Sequence, residues 1–328
     1  MHSQPAYFTD FGKAFCGDSR TLLDELSDNS IDLVITSPPF ALLRKKDYGN
    51  MDQQEYIAWF STFATIVFRK LKPTGSFVID LGGAYERGIP RRSLYNFRLL
   101  IHLCDKVGFS LAEDFYWHNP AKLPSPIEWV NKRKIRVKDS VNTIWWLSKE
   151  PFPKADVRNV LTEYSSRMKK LLADPEKFYR PKDRPSGHNI GTGFANDNGG
   201  AIPSNLLQIS NTESNSSYMR ACNLVGERQH PARFPAKVPE FFVKFLTEPD
   251  DLVVDIFAGS NTSGAVAESL GRRWFSFEEK RSYVATSAFR FASAEDEKTV
   301  RNLYEQIMAG NSVDMQKSVK QNMLFQFV

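Results

Sequence analysis

The sequence predicts an α/β fold in which helices cover both faces of a doubly wound, mostly parallel sheet, and three observations predict it. Short runs rich in branched and aromatic residues at 31–36, 76–80, 252–256 and 273–278 read as buried strands. Segments with helical spacing alternate with those runs. The 328 residues are 41% apolar and 25% charged, ordinary for one large globular domain or two modest ones. No stretch approaches the roughly 18 uninterrupted apolar residues of a membrane span; Leu99, Leu100 and Ile101 are followed at once by His102. Residues 1–13 carry no apolar run behind basic residues, so a cytoplasmic location with no membrane partner is expected.

The elements follow in order. Strand 31–36 ends at Thr36-Ser37-Pro38-Pro39-Phe40. Asp52 with Glu55 three residues later is a capping-box signal for a helix whose Trp59, Phe63 and Ile66 share a face. Strand 76–80 ends on Asp80, with Gly82 and Gly83 just beyond. Residues 96–107 form a second helical pattern stopped by Gly108, and Pro239 at a first-turn position opens a third through Leu246. Between about 150 and 222 the texture changes: Pro, Gly, Ser and Asn cluster at 184–200 and 209–217, the mark of a loop-rich insertion with its own binding surface. Strand 252–256 runs through a small-residue turn into a helix at 265–270. Val300, Leu303 and Ile307 predict a terminal helix ended by Gly310 and Asn311. These shifts divide the chain at 1–149, 150–221, 222–291 and 292–328.

Charge is unevenly spread. The chain has 43 Lys and Arg against 38 Asp and Glu, a net of +5. Residues 122–138 hold six basic residues and one acid, and 167–184 hold seven and three. Positive charge gathered in this way is the footprint of a polyanion. Cys16, Cys104 and Cys222 are too few and too scattered for a disulfide framework or a paired metal-ligand spacing, so thiols and no metal are expected.

Two motifs carry chemistry. Consecutive prolines cannot continue a sheet ladder, so Pro38 and Pro39 turn the chain stiffly away from the strand end and fix its carbonyls as acceptors. The exocyclic amine of a nucleobase is a poor nucleophile because its lone pair is delocalised into the ring. Two acceptors for its two hydrogens, the Ser37 hydroxyl and the Pro38 carbonyl, would draw the nitrogen towards tetrahedral geometry and free that pair. Phe40 would supply a face for the extruded base, and Asp80 would orient the Ser37 hydroxyl. The second motif, Asp255 through Gly264, is a strand, a glycine turn and a helix. It lacks the Gly-Lys-Ser/Thr of a P-loop and the dinucleotide Gly-x-Gly-x-x-Gly. Glu278, at the end of the following strand, could accept both hydroxyls of a ribose, which fits a nucleoside-bearing cofactor without a pyrophosphate.

These residues resemble the S-adenosylmethionine-dependent amino-methyltransferases of DNA. The Ser-Pro-Pro-aromatic form is usually associated in that family with cytosine-N4 methylation. Placing the catalytic motif before the cofactor turn resembles the circularly permuted class called beta, with its Rossmann-like fold. The resemblance covers most of the chain up to about Phe291, extending to 40–46, 123–139 and 251–262. It implies Ser37, Pro38, Pro39 and Phe40 as the target-amine pocket, supported by Asp80. It implies Asp255, Phe257, Gly259, Ser260, Asn261 and Thr262 on the methionine side of S-adenosylmethionine, Glu278 on the ribose and Asp18 near the adenine amine. His230, Arg233, Phe234 and Pro235 match the segment flanking the cofactor. Ile256 stands where proline is usual and Asn261 where a second glycine is usual; asparagine tolerates the left-handed backbone such a turn requires.

On this reading the partner is double-stranded DNA. Lys132, Arg133, Lys134, Arg136 and Lys138 meet phosphates, the insertion with Arg184 and His188 serves as the target-recognition region, and Arg44, Lys45 and Lys46 close over a flipped base. The resemblance implies the palindrome CAGCTG, its internal cytosine modified by a monomer, in a restriction-modification system whose endonuclease is a functional and not a physical partner. Adenine-N6 methylation is the nearest alternative, and a non-catalytic DNA-binding regulator on the same fold is another. Cytosine-C5 methylation is set aside because the cysteines follow Phe15, Leu103 and Ala221, not a proline. An endonuclease would need a compact carboxylate cluster near a lysine, which the sequence does not show.

Overall fold

A computed structural model of the chain describes residues 1–40, 55–178, 185, 192–212, 216–292 and 297–317. Among these, ten strands form one sheet: β1 Tyr7–Phe8, β2 Gly12–Cys16, β3 Ile31–Thr36, β4 Leu71–Leu81, β5 Ser110–His118, β6 Val141–Ser148, β7 Leu206–Gln208, β8 Leu252–Asp255, β9 Arg273–Glu278 and β10 Val313–Asp314. Their order is β10-β1-β2-β9-β8-β3-β4-β6-β5-β7. Six of the nine pairings are parallel; β6 runs against both β4 and β5, and β2 runs against β1. The mostly parallel prediction therefore holds for the centre of the sheet, with reversed strands towards its flanks.

Both faces are covered because the central strands β3 and β8 are buried at every position. Leu33, Ile35 and Val253 pack with the Lys237–Leu246, Thr262–Ser269 and Glu297–Met308 helices on one face. Val34, Val254, Phe77 and Ile79 pack with the Ser19–Asp24, Tyr56–Lys70 and Tyr95–His102 helices on the other. The chain leaves β8 towards β9 and leaves β3 towards β4, in opposite directions along the sheet, so the boundary between β8 and β3 is the topological switch point. Ligands of such sheets gather outside the carboxyl ends of the strands there. Thr36 and Asp255 end those two strands, and Thr36 Oγ1 donates to Asp255 Oδ1 at 2.7 Å. At the other end Leu252 N donates to Asp32 Oδ2 at 2.9 Å, so β3 and β8 are pinned top and bottom.

Several boundaries move. The first long helix begins at Tyr56, with Glu55 before it making no side-chain capping bond, and Asp52 lies outside the described residues. Its most buried face is Tyr56, Phe60, Phe63, Ala64 and Val67, with Trp59 and Ile66 at the margin, because the helix rolls its aromatic rings onto the sheet. Strand β4 starts at Leu71, β8 stops at Asp255, and the helix after the glycine turn starts at Thr262. Pro239 is the third residue of its helix. The pattern 96–107 is an α-helix to His102 continued by a π turn to Val107, and Gly108 closes it at φ 101°.

The chain divides into two compact units, residues 1–154 with 205–328, and residues 155–204. Within the smaller unit Thr162 and Ala201 exchange backbone bonds of 2.9 Å, and the Ser166–Ala173 helix, capped by Ser165, buries none of its residues. No described helix is long and apolar enough to cross a membrane.

Thr36→Val keeps the shape of β3 and deprives a buried carboxylate of one of its donors. A loss of about 1–3 kcal/mol is expected, read as a lower urea midpoint with far-UV circular dichroism unchanged before the transition.

Candidate active site

The Ser37-Pro38-Pro39-Phe40 turn leaves β3 at the switch point, and Asp80, near the end of the neighbouring β4, reaches it. Ser37 Oγ donates to Asp80 Oδ2 at 3.1 Å, and Asn142 Nδ2 from β6 donates to Asp80 Oδ1 at 3.1 Å. Asp80 is 5% exposed. Burial pushes its carboxyl up to about 6, and the Asn142 and Ser37 bonds together with the Lys122 charge oppose a further rise. These groups line a cavity of about 210 Å³ with Phe40, Trp117 and Lys122. That is less than the roughly 300 Å³ from which drug-sized pockets begin, a size suited to one small ring. Phe40 owes its place to Gly82: a Cβ there would stand 2.5 Å from the Phe40 ring.

The second motif lies beside the first. Gly259 sits at φ 51°, and a Cβ on it would come within 3.0 Å of the His230 imidazole, so a larger residue would meet both strain and contact. Gly259 N donates to Glu278 Oε2 at 3.0 Å and Lys280 N donates to Oε1 at 2.9 Å; burial raises the Glu278 carboxyl and these two bonds oppose it. Phe257 packs its ring on Trp59, Phe60 and Phe63.

The positions expected to meet the cofactor fall into two sets. Gly259, His230, Phe257 and Glu278 converge on the turn. Asp255 is 2% exposed, with its oxygens filled by Thr36 Oγ1, Ser263 Oγ at 2.6 Å and Phe257 N at 3.1 Å, so its carboxylate braces the turn from below. Asn261, at φ 54°, turns its amide inward: Oδ1 caps the helix through Gly264 N at 3.0 Å and accepts from Ser276 Oγ, while Nδ2 donates to Tyr7 Oη at 2.9 Å. Ser260 and Thr262 are also buried and their hydroxyls lie 3.2 Å apart. Asp18 caps the Ser19–Asp24 helix and pairs with Arg20 at 2.5 Å, which holds its carboxyl below the usual range.

The 230–235 segment spans both motifs. His230 covers the glycine turn, its Nδ1 2.8 Å from the Ala232 carbonyl, whereas Arg233 and Phe234 line the Ser37 cavity. Pro235 is half-buried.

Of the cations expected on DNA, Lys132 and Arg133 pair with Glu128 at 3.4 and 3.0 Å, and Arg136 and Lys138 donate to backbone carbonyls of Pro90 and Pro120 at 2.7 and 3.1 Å. Residues 131–138 are exposed throughout, Lys134 among them. Arg44, Lys45, Lys46, Arg184 and His188 lie outside the described residues. Among the described residues no group of three or more His, Cys, Asp or Glu is placed to hold a metal ion. Trp117, Asn119, Lys122, Ser140, Asn142 and Asn211 line the cavity without having been singled out by the sequence reading; Lys122 counted only as one charge of a basic run, and nothing local to Asn142 marks it.

The comparisons agree with this geometry. A family profile described as DNA methylase, covering the N6 and N4 methyltransferases, matches residues 31–289. The chain is 63% identical over 313 residues to the type II methyltransferase M.PvuII of Proteus hauseri, covering 95% of this chain and 93% of that one. It is 26% identical to M.BglII of Bacillus subtilis, covering 83% and 66%. The solved PvuII DNA methyltransferase, described as cytosine-N4-specific, superposes with a TM-score of 0.79 at 54% identity, covering 96% and 98%. A DNA modification methylase of Thermus thermophilus, solved with S-adenosyl-L-methionine, shares the fold, with a TM-score of 0.51 at 18% identity, covering 92% and 97%. With a Ser-Pro-Pro-Phe turn and a glycine turn joined across one switch point, and a profile matched from the first strand of that pair to beyond the second, the chain belongs to the DNA methylase family of N6 and N4 methyltransferases.

Proposed function

We propose that this protein transfers a methyl group to the exocyclic N4 of a cytosine flipped out of duplex DNA, with S-adenosylmethionine as donor. The observation that carries the reading is the hydrogen-bonded chain Ser37, Asp80, Asn142 at the wall of a cavity of one-ring size. Ionised Asp80 accepts the Ser37 O–H, which turns the lone pairs of Ser37 Oγ towards an incoming N–H. An amino group held there, with the Pro38 carbonyl as its second acceptor, is drawn towards tetrahedral geometry and its lone pair is freed. As that pair is used, the nitrogen becomes acidic and its proton passes towards Ser37 Oγ and Asp80. Phe40 stacks on the ring and the cavity replaces the water that would surround the amine.

The glycine turn fits the donor. The close packing of His230 on Gly259 leaves no room for a side chain, Phe257 presents an aromatic face, and each Glu278 oxygen keeps a lone pair for a ribose hydroxyl. Asp18 is half-exposed beside the turn for the adenine amine. S-adenosylmethionine supplies an electrophilic methyl group when bound.

Duplex DNA is gripped through its phosphates by the exposed 131–138 loop, while residues 150–221, including Arg184 and His188, read base edges and Arg44, Lys45 and Lys46 close over the base. The similarity to M.PvuII runs over 95% of the chain and so includes most of the insertion; the site taken for the test is CAGCTG, the palindrome implied by the resemblance of the sequence. The protein works as a cytoplasmic monomer that modifies the two strands in separate encounters, as the protective half of a restriction-modification system.

Incubation with duplex DNA and S-adenosylmethionine labelled in the methyl group, followed by digestion to deoxynucleosides and mass identification, is expected to yield N4-methyl-2′-deoxycytidine from CAGCTG, with protection from an endonuclease that cuts there. N6-methyl-2′-deoxyadenosine, or no product with the cofactor bound, would overturn the reading. Ser37→Ala should lower kcat by about 100-fold or more with the cofactor Kd within a few-fold, since one preorganised contact to the reacting group is removed. With the Asp80 carboxyl at about 6, kcat/KM should fall roughly tenfold per pH unit below pH 6 and level off above it. Asp80→Asn should abolish that limb together with most of the turnover.

A further inference from the structure

Cytosine and adenine offer the Ser37 cavity the same amino group, so a pocket that binds only the amine does not choose between them. Beyond the amine the two edges differ: cytosine continues with two acceptors, N3 and O2, whereas adenine continues with one acceptor, N1, and a C–H. Selectivity for cytosine therefore requires a donor placed for the second acceptor.

Several donors around the cavity are engaged; Asn119 Nδ2, Ser140 Oγ and the Lys122 ammonium make no hydrogen bond with a described residue, and of these only the ammonium is charged. Trp117 Nε1 donates to the Ile209 carbonyl at 2.8 Å. Asn142 Nδ2 holds Asp80, and Asn211 Nδ2 holds the Arg233 carbonyl at 2.8 Å. The Arg233 guanidinium donates to Gln229 Oε1 at 3.2 Å and lies over the Tyr218 ring. Lys122 differs. It lines the cavity beside Ser37 and Asp80, and its ammonium makes no hydrogen bond or ion pair with any described residue. Its backbone is fixed, the N–H donating to the Asn119 carbonyl at 3.2 Å and the carbonyl accepting from Lys138 Nζ at 3.4 Å. The stem therefore starts from a fixed point, and the charge is close enough to Asp80 to act on its carboxyl.

We propose that Lys122 is a specificity-determining residue, its ammonium donating to O2 of the flipped cytosine while Ser37 and Pro38 hold N4. This rests on the cavity being the cytosine-N4 site. The contact is a charge-assisted hydrogen bond, of a size that gives about a 10- to 100-fold effect. It has no equivalent at the C2–H of adenine. A lysine bound only to a DNA phosphate would act differently: its loss would weaken binding of every duplex alike and lower the salt dependence by about one counterion.

The test crosses two deletions. Wild type and Lys122→Met are assayed on duplexes carrying either cytosine or a 2-aminopyridin-5-yl deoxyriboside at the target, the latter keeping the amine and the ring nitrogen and lacking O2. On cytosine, Lys122→Met is expected to lose about 10- to 100-fold in kcat/KM, with cofactor Kd unchanged and the salt slope of DNA binding unaltered. On the analogue the two proteins should agree within about threefold, because each deletion removes the same contact. An equal loss on both duplexes would overturn the proposal and leave Lys122 a phosphate contact or a structural residue. Wild type separately reports the underlying reading, for if it fails to methylate cytosine N4 both fall together; if it succeeds and the losses simply add, the Lys122 proposal falls alone.

Discussion

The buried carboxylate of Asp255 is the constraint on which the rest of the site depends. Taking a carboxylate out of water is costly unless donors surround it. Here three do: a hydroxyl from the end of the catalytic strand, a hydroxyl from the helix that follows the glycine turn, and the backbone N–H of Phe257. Because these donors come from three segments, satisfying one acid fixes their separations. Thr36 cannot shift without leaving Asp255 short of a bond, and Ser37 is the next residue. The distance between the Ser37 turn and the glycine turn is thereby set by a side chain that itself lies beneath both.

A second buried acid is held by fewer donors. Asp80 has two, Asn142 and Ser37, and burial lifts its carboxyl to about 6. Burial raises the Asp255 carboxyl as well, and there three donors oppose the rise. The sheet explains the difference: Asp255 sits at the switch point between two parallel strands, while Asp80 stands beside the reversed strand β6 and opens onto a cavity. The same type of acid is enclosed by donors at one strand end and opens onto a cavity at another.

Much of this was legible from residues alone. Ser37-Pro38-Pro39-Phe40 and Asp80 were readable because each is bound to its strand end by a local rule, the inability of proline to continue a ladder and the glycines that follow. Asn261 in place of a second glycine was readable as a left-handed position, and the backbone there is left-handed. What its amide does was not legible, since Tyr7 and Ser276, its partners, are remote in the chain. Nor was the division of labour within residues 230–235, where His230 serves the glycine turn and Arg233 and Phe234 face the amine cavity. The helix after Glu55 shows the same limit: its spacing announced a helix, but which rings lie deepest is decided by the sheet beneath.

By itself, then, the sequence determined the alternation of strands and helices, the proline turn at 37–40, the glycine turn at 255–264, and the order of the two along the chain. Those features depend on neighbours a few residues apart, through φ restriction, hydrophobic period and capping, and so survive in one dimension. Only the tertiary structure decided that β3 and β8, more than two hundred residues apart, are adjacent, that Asn142 completes the support of Asp80, and that Lys122 leaves its basic run to face the cavity while Arg136 and Lys138 brace loops. Each of these is a choice among partners distant along the chain. Burial makes that choice, because a polar group removed from water must find a partner wherever the packed fold supplies one.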